Sequence, residues 1–138
     1  LPLEIKNALN IQPKDVYKSR DYMLVYDSEE QIKNIKIDIK FFNKINLDPG
    51  GVIVTAKGDE VDFVSRYFTP QASVLEDPVT GSSHCSLIPY WSERLGKNQL
   101  IAMQLSKRKG TLFCKNNNDR VIISGMAKTY SIGHLWTE

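Results

Sequence analysis

The residues best able to do chemistry fall in one run, Glu76-Asp77-Pro78-Val79-Thr80-Gly81-Ser82-Ser83-His84. Adjacent carboxylates, three hydroxyls and an imidazole share this run. Glu76 or Asp77 can serve as a general acid or base where its surroundings raise its pKa. An Asp-Pro step also makes ordinary turns, in which the carboxylate accepts from nearby backbone N–H groups. His84 can hold or deliver a proton, or be a structural histidine in the first turn of a helix. Cys85 follows it directly, and adjacent helical residues do not face one another. Cys85 is therefore read as a small buried residue rather than a thiolate nucleophile, and Cys114, in a strand, is read the same way. His134 has no constellation around it.

The elements that must position this run are a strand before it and a helix after it. Val61 to Phe68 reads as a strand ended by Thr69-Pro70, and a helix is expected from about Ser82 to Leu95, stopped by Gly96. A helix start carries backbone N–H groups without partners and a partial positive charge, and small or polar residues there let an anion approach. A plain capped helix, with Thr80 or Ser82 as N-cap, fits the same spacing. Pro89 lies inside the helix, but Leu87, Ile88, Trp91 and Leu95 keep one apolar face, so one helix is retained, bent before the proline.

Elsewhere, Pro2 to Asn10 suits a helix, Asp21 to Tyr26 a strand, and Asp27 or Ser28 can cap a short helix running to about Ile35. A further helical turn is expected near Ile39 to Asn43. Asp48-Pro49-Gly50-Gly51 is a turn, and Val52 to Ala56 is a continuous aliphatic strand buried on both faces, which forms a hairpin with the strand after it. Strands are then expected at Leu100 to Ser106, Thr111 to Lys115, Arg120 to Ser124 and Ala127 to Trp136. This is an α+β layout, with many strands around one central helix.

At 138 residues the chain is long enough for one domain, spanning 1–138, with a real core. A net charge of +2 makes no case for nucleic acid or a membrane surface, and Lys107-Arg108-Lys109 reads as a solvated turn. No apolar run approaches a membrane span and no signal-peptide pattern is present, so the cytoplasm is the expected location. Two cysteines cannot build a disulfide framework or a zinc site alone. No dinucleotide, P-loop, zincin or paired-cysteine motif appears, so a cofactor-free site is the simplest reading. The chain opens on Leu1 rather than Met, which suggests a piece of a longer protein.

Ser65-Arg66-Tyr67-Phe68-x-Pro70, Glu76 through Cys85, Pro89-Tyr90-Trp91 and Leu95-Gly96-Lys97 together resemble the C-terminal half of the PhzF-like isomerases and epimerases of phenazine biosynthesis. Gln104-x-Ser106-x-Arg108-x-Gly110 and Val121-Ile122-Ile123-x-Gly125-x-Ala127 continue the likeness, which covers essentially the whole chain. The resemblance implies one lobe of a diaminopimelate-epimerase-like fold, a curved, mostly antiparallel sheet wrapped around a central helix. It implies cofactor-independent proton transfer on a small carboxylated substrate in the cleft between two lobes. Asp77 then matches the second-lobe acid and Ser82 a hydroxyl near the substrate, while Gly81, Ser82, Ser83 and His84 would bind it, the first three through backbone donors.

The family's main proton-transfer glutamate and its partner histidine belong to a first lobe that these residues do not include. The chain alone is therefore expected to be inactive as an isomerase. Its partner would be the missing N-terminal lobe, or a second copy docked through the exposed cleft face. The non-enzymatic alternative is an isolated lobe that binds a small anion or a partner protein at the helix N-terminus. Lys109 stands where the family commonly has glycine, and would be strained there if that position needs positive φ.

Overall fold

The alternation of buried side chains along the central strands builds a sheet with a core on each face. The structure, a computed structural model, describes residues 1–137. The elements are α1 (Leu3–Ala8), β1 (Asp15–Lys18), β2 (Tyr22–Val25), α2 (Glu29–Asn34), α3 (Ile39–Phe42), β3 (Val52–Lys57), β4 (Phe63–Phe68), α4 (His84–Leu95), β5 (Gln99–Gln104), β6 (Gly110–Asn117) and β7 (Arg120–Ser124). The seven strands lie in one sheet in chain order. The β2–β3 and β4–β5 pairings are parallel and the other four antiparallel, so the sheet is mixed.

β3 and β4 read as unbroken apolar runs because both of their faces are covered. Val52, Val54, Ala56, Val64 and Phe68 point to the side occupied by α1, α2 and α3, where they meet Ile5, Ile32 and Phe42. Ile53, Phe63 and Tyr67 point the other way, onto Leu87, Ile88 and Trp91 of α4. Phe63 stacks on Trp91 with ring centroids 5.9 Å apart and planes 6° apart. Removing a side chain of this size from water stabilises the fold by about 2–3 kcal/mol. α4 is thus central to one face only, and the opposite face is closed by the three short helices.

Local signals set several boundaries. Ser28 caps α2 by accepting the Gln31 N–H at 3.3 Å. Gly96, at φ 64°, ends α4, and its N–H reaches the Ser92 carbonyl. Pro89 sits inside α4, which continues to Leu95 around a buried stripe of His84, Leu87, Ile88 and Trp91.

Four expectations are corrected. No strand forms over Ala127 to Trp136: the chain from Gly125 to Thr137 has no regular secondary structure, and Met126, Tyr130, Ile132, Leu135 and Trp136 are 87–101% exposed. A strand needs a neighbour to take its backbone hydrogen bonds, and no described residue pairs with this one. A strand not anticipated, β1, lies at the opposite edge with all four residues exposed. α4 starts at His84, two residues after Ser82, with neither Thr80 nor Ser82 as its cap. Cys85 is exposed, because it lies off the buried stripe of α4, whereas Cys114 is buried and its thiol is pushed up to about 11 by desolvation. Among the described residues no helix is long and apolar enough to cross a membrane.

Candidate functional site

The loop from Leu75 to Ser83 has little apolar surface to bury, so polar contacts hold it. β4 delivers it: the Asp77 N–H donates to the Tyr67 carbonyl at 3.1 Å, and the Thr69 N–H to the Leu75 carbonyl at 2.9 Å. The end of β5 and the turn after it cradle the loop from below. Gln104, wholly buried, uses its one amide three times: Oε1 accepts the Thr80 N–H at 2.8 Å, and Nε2 donates to the Asp77 carbonyl at 2.8 Å and to Thr80 Oγ1 at 3.1 Å. Ser106 Oγ donates to the Pro78 carbonyl at 2.7 Å. Gly110 lets Val79 come close, since a Cβ there would fall 2.4 Å from Val79 Cγ2. The spaced glutamine, serine and glycine of the sequence thus act together as one support.

The two acids of the loop part company. Glu76 is committed to Arg66, whose Nε and Nη2 donate to its two carboxylate oxygens at 2.7 and 3.0 Å. Asp77 is half-buried, and its Oδ2 accepts the Thr80 hydroxyl in a very short hydrogen bond. Of the pair, Asp77 is the carboxylate without a cationic partner among the described residues.

After Thr80 the chain winds tightly into α4. The His84, Cys85 and Ser86 N–H groups bond to the carbonyls of Gly81, Ser82 and Ser83 at 3.0–3.1 Å, a 3₁₀-like start. The N–H groups of Gly81, Ser82 and Ser83 precede the first of these bonds and so have no helical acceptor. Gly81 and Ser82 are exposed. Ser83 and His84 turn inward instead: Ser83 Oγ donates to the Thr80 carbonyl at 2.8 Å, and His84 Nδ1 lies 2.8 Å from the same oxygen. A carbonyl only accepts, so Nδ1 carries the hydrogen and Nε2 is the bare nitrogen. His84 is fully buried, its Nε2 has no partner among the described residues, and desolvation holds its pKa below 6.5. Its neutral ring packs near Phe63, with centroids 5.9 Å apart.

A further group, absent from the sequence reading, reaches the loop from the turn between β1 and β2. Arg20 Nη2 donates to Ser82 Oγ at 3.0 Å and to Asp21 Oδ2 at 3.1 Å. Asp21 is 4% exposed, and its Oδ1 also accepts the Gly51 N–H and the Tyr67 hydroxyl, each at 2.9 Å. Burial and then the Asp21 carboxylate push the Tyr67 hydroxyl up to about 12, so it stays protonated and donates. Tyr67 therefore holds Asp77 through its carbonyl and Asp21 through its ring. The signal in the sequence was the Arg-Asp doublet at the mouth of an apolar strand, where a charged residue is out of place unless it is paired.

The structure thus leaves Gly81 and Ser82 exposed and Asp77 half-buried, and turns the side chains of Ser83 and His84 into the core. The groove on the loop's flank, about 630 Å³, is lined by Val74, Glu76, Pro78, Ser106, Lys107 and Arg108 rather than by Asp77 or Ser82.

Residues 3–133 match the family model described as phenazine biosynthesis-like protein. Among curated relatives, an uncharacterised isomerase of Pseudomonas aeruginosa is 47% identical over 134 residues, covering 96% of this chain and 51% of that protein. An uncharacterised isomerase of Halalkalibacterium halodurans is 46% identical over 131 residues, covering 93% of this chain and 49% of that one. Among solved structures, a PhzF-family protein of Enterococcus faecalis superposes with a TM-score of 0.85 at 44% identity, over 95% of this chain and 50% of that one. A PhzC/PhzF protein of Clostridium difficile gives 0.80 at 45% identity, over 96% and 52%. The chain spans about half the length of these relatives.

Proposed function

The chain belongs to the phenazine biosynthesis-like protein family, and from that premise we propose that it forms the C-terminal half of a cofactor-independent isomerase or epimerase that moves a proton on a small carboxylated substrate. The observation that carries this reading is the loop itself: an unpaired carboxylate, Asp77, is fixed from behind by Tyr67, Thr80 and Gln104, and an exposed hydroxyl and free N–H groups follow at Gly81–Ser83.

In this reading Asp77 exchanges a proton with the substrate, and the Thr80 hydroxyl, which donates to Oδ2, fixes the orientation of the carboxylate. The N–H groups of Gly81, Ser82 and Ser83 face charge that builds on a carboxylate when a neighbouring C–H is deprotonated. Dipoles fixed before the reaction lower that barrier without reorganising. His84 does not touch substrate through its ring; its Nδ1–H anchors the Thr80 carbonyl and so sets the turn. The second proton-transfer group, a glutamate by family resemblance, would come from the half of its relatives that this chain does not span.

The same half is the natural partner. The tail from Met126 to Trp136 presents large apolar side chains almost fully to solvent, and Ile101, Phe113 and Ile122 are 44–47% exposed. Surface of this kind marks an interface, and a second copy of the chain is the competing occupant.

The test is isotope exchange. Small carboxylates bearing an acidic C–H are incubated in D₂O with the chain alone and with the chain joined to the complementary half of a full-length relative. Deuterium uptake is expected only with both halves and is lost in Asp77→Asn. Uptake by the 138-residue chain alone would show that a second half is not needed. Uptake that survives Asp77→Asn would remove Asp77 from the chemistry.

A further inference from the structure

We propose that Arg20 is the carboxylate-recognition residue of this site and sets the donor direction of the Ser82 hydroxyl. The proposal rests on the reading of the loop as a substrate site and names the group that would hold the substrate's anionic end.

Three observations carry it. The first is how Arg20 is held. It is a side chain about half exposed, yet its head is fixed by a carboxylate that is almost fully buried. Asp21 Oδ1 accepts the Gly51 N–H and the Tyr67 hydroxyl, and the guanidinium bonds Oδ2 at 3.1 Å with a longer contact to Oδ1 at 3.4 Å. Pairing with Asp21 moves the Arg20 pKa further up, so it is a permanent cation at this point. A surface arginine serving only solubility has no need of a buried counter-ion tied to two other strands.

The second is the hydrogen-bond count. A single nitrogen, Nη2, spends its hydrogens on Asp21 and on Ser82 Oγ. The Nε and Nη1 donors have no acceptor among the described residues, so single charge-assisted donors remain on this cation for a carboxylate oxygen.

The third is polarity at Ser82. Its Oγ accepts from Arg20, so its own hydrogen is turned away from the guanidinium and is free to be donated. Ser82 is 62 residues away in sequence, and the contact exists only because β2 and the loop meet at the same end of the sheet. The guanidinium and the Ser82 hydroxyl are thus paired beside the turn whose N–H groups at Gly81–Ser83 have no helical acceptor.

The experiment uses the 138-residue chain and a non-reacting probe, sodium benzoate, with benzamide as the neutral isostere. Titrations are followed by the backbone amide signals of Gly81 and Ser82 and by the Arg20 Nε–Hε signal. Benzoate is expected to shift all three saturably and benzamide to leave them in place. Arg20→Gln is expected to weaken benzoate at least about fivefold, in line with loss of a charge-assisted contact. Arg20→Lys, which keeps charge but loses the fixed planar donors, is expected to fall between the two, and an unchanged amide spectrum away from the loop confirms that each variant is folded. Benzoate binding by Arg20→Gln equal to wild type, equal shifts with benzamide, or no benzoate shift in wild type would each overturn the proposal. The isotope-exchange test above fails separately: benzoate held by Arg20 without any exchange sinks the isomerase reading and leaves this one, and exchange without carboxylate recognition by Arg20 does the reverse.

Discussion

Arg66 grips Glu76 through both carboxylate oxygens, at 2.7 and 3.0 Å, while its Nη1 reaches back to the carbonyls of Ile32 and Ile35 at 3.1 and 2.9 Å. One guanidinium thus ties the start of the candidate loop to the C-terminal end of α2. Both side chains are largely shielded, at 14% and 22% exposure, so solvent screens the pair only in part. Arg66→Met is expected to lower unfolding free energy by about 3 kcal/mol, because it strands Glu76 and two carbonyls, and Glu76→Gln by about 1–2 kcal/mol. Urea denaturation of both single variants and the double variant checks this, and the cycle should show coupling between the two sites.

His84 makes stability depend on pH in a window of its own. Burial holds its folded pKa below the ordinary 6.5, so as pH falls the unfolded chain takes up a proton before the folded one does. Stability rises with pH wherever the unfolded state binds more protons. The protein is therefore expected to lose stability from pH 6.5 downward, by at most about 1.4 kcal/mol per pH unit, above the range where carboxylates titrate. Thermal melts from pH 7.5 to 5 should show that slope, and His84→Gln should flatten it.

Lys109 adopts φ +58°, a conformation that glycine takes freely and other residues only at a cost. Lys109→Gly is expected to stabilise the β5–β6 turn by about 1 kcal/mol, since the residue is exposed and the left-handed backbone costs a non-glycine residue about that much. A higher midpoint in chemical denaturation is the readout.

Gly110→Ala is expected to cost about 1–3 kcal/mol, because the new methyl would enter the space of Val79 Cγ2. Val79→Ala in the same chain should restore part of that loss. Crystallography of the single variant should show the Pro78–Thr80 segment displaced from Gln104.

Much of the fold was legible because its signals are local. β3 and β4 announce themselves as aliphatic runs, the Ser28 cap and the Gly96 stop are single-residue events, and β7 was placed residue for residue. β1 was not, because an edge strand with all four residues exposed has no alternation for burial to impose. The tail shows the converse: its pattern suits a strand, but pairing is a property of two segments. Cys85 was misplaced because residue type was given weight over helical phase, and the stripe through His84, Leu87, Ile88 and Trp91 leaves position 85 outside.

At the site, the loop could be found from sequence since its polar residues are contiguous. What holds it could not. Gln104 acts across 24 residues and Arg20 across 62, and neither separation leaves a trace in spacing. The Gln104, Ser106 and Gly110 positions were visible only as part of a resemblance, and acquire a physical reason once all three are seen to touch Asp77 through Thr80.

The strictly sequential order of the strands bears on how the molecule comes to be folded. All four antiparallel pairings, β1–β2, β3–β4, β5–β6 and β6–β7, join chain neighbours through short turns and can form early and locally. The parallel β4–β5 pairing must wait for the chain between Phe68 and Gln99, which holds both α4 and the candidate loop, to be laid across the sheet. Gln104 and Ser65, whose strands meet in that step, belong to the same closure. The loop therefore gains its shape in the costliest long-range event of folding, so that half-folded chains carry no trace of the site and every molecule that displays it has already closed its sheet.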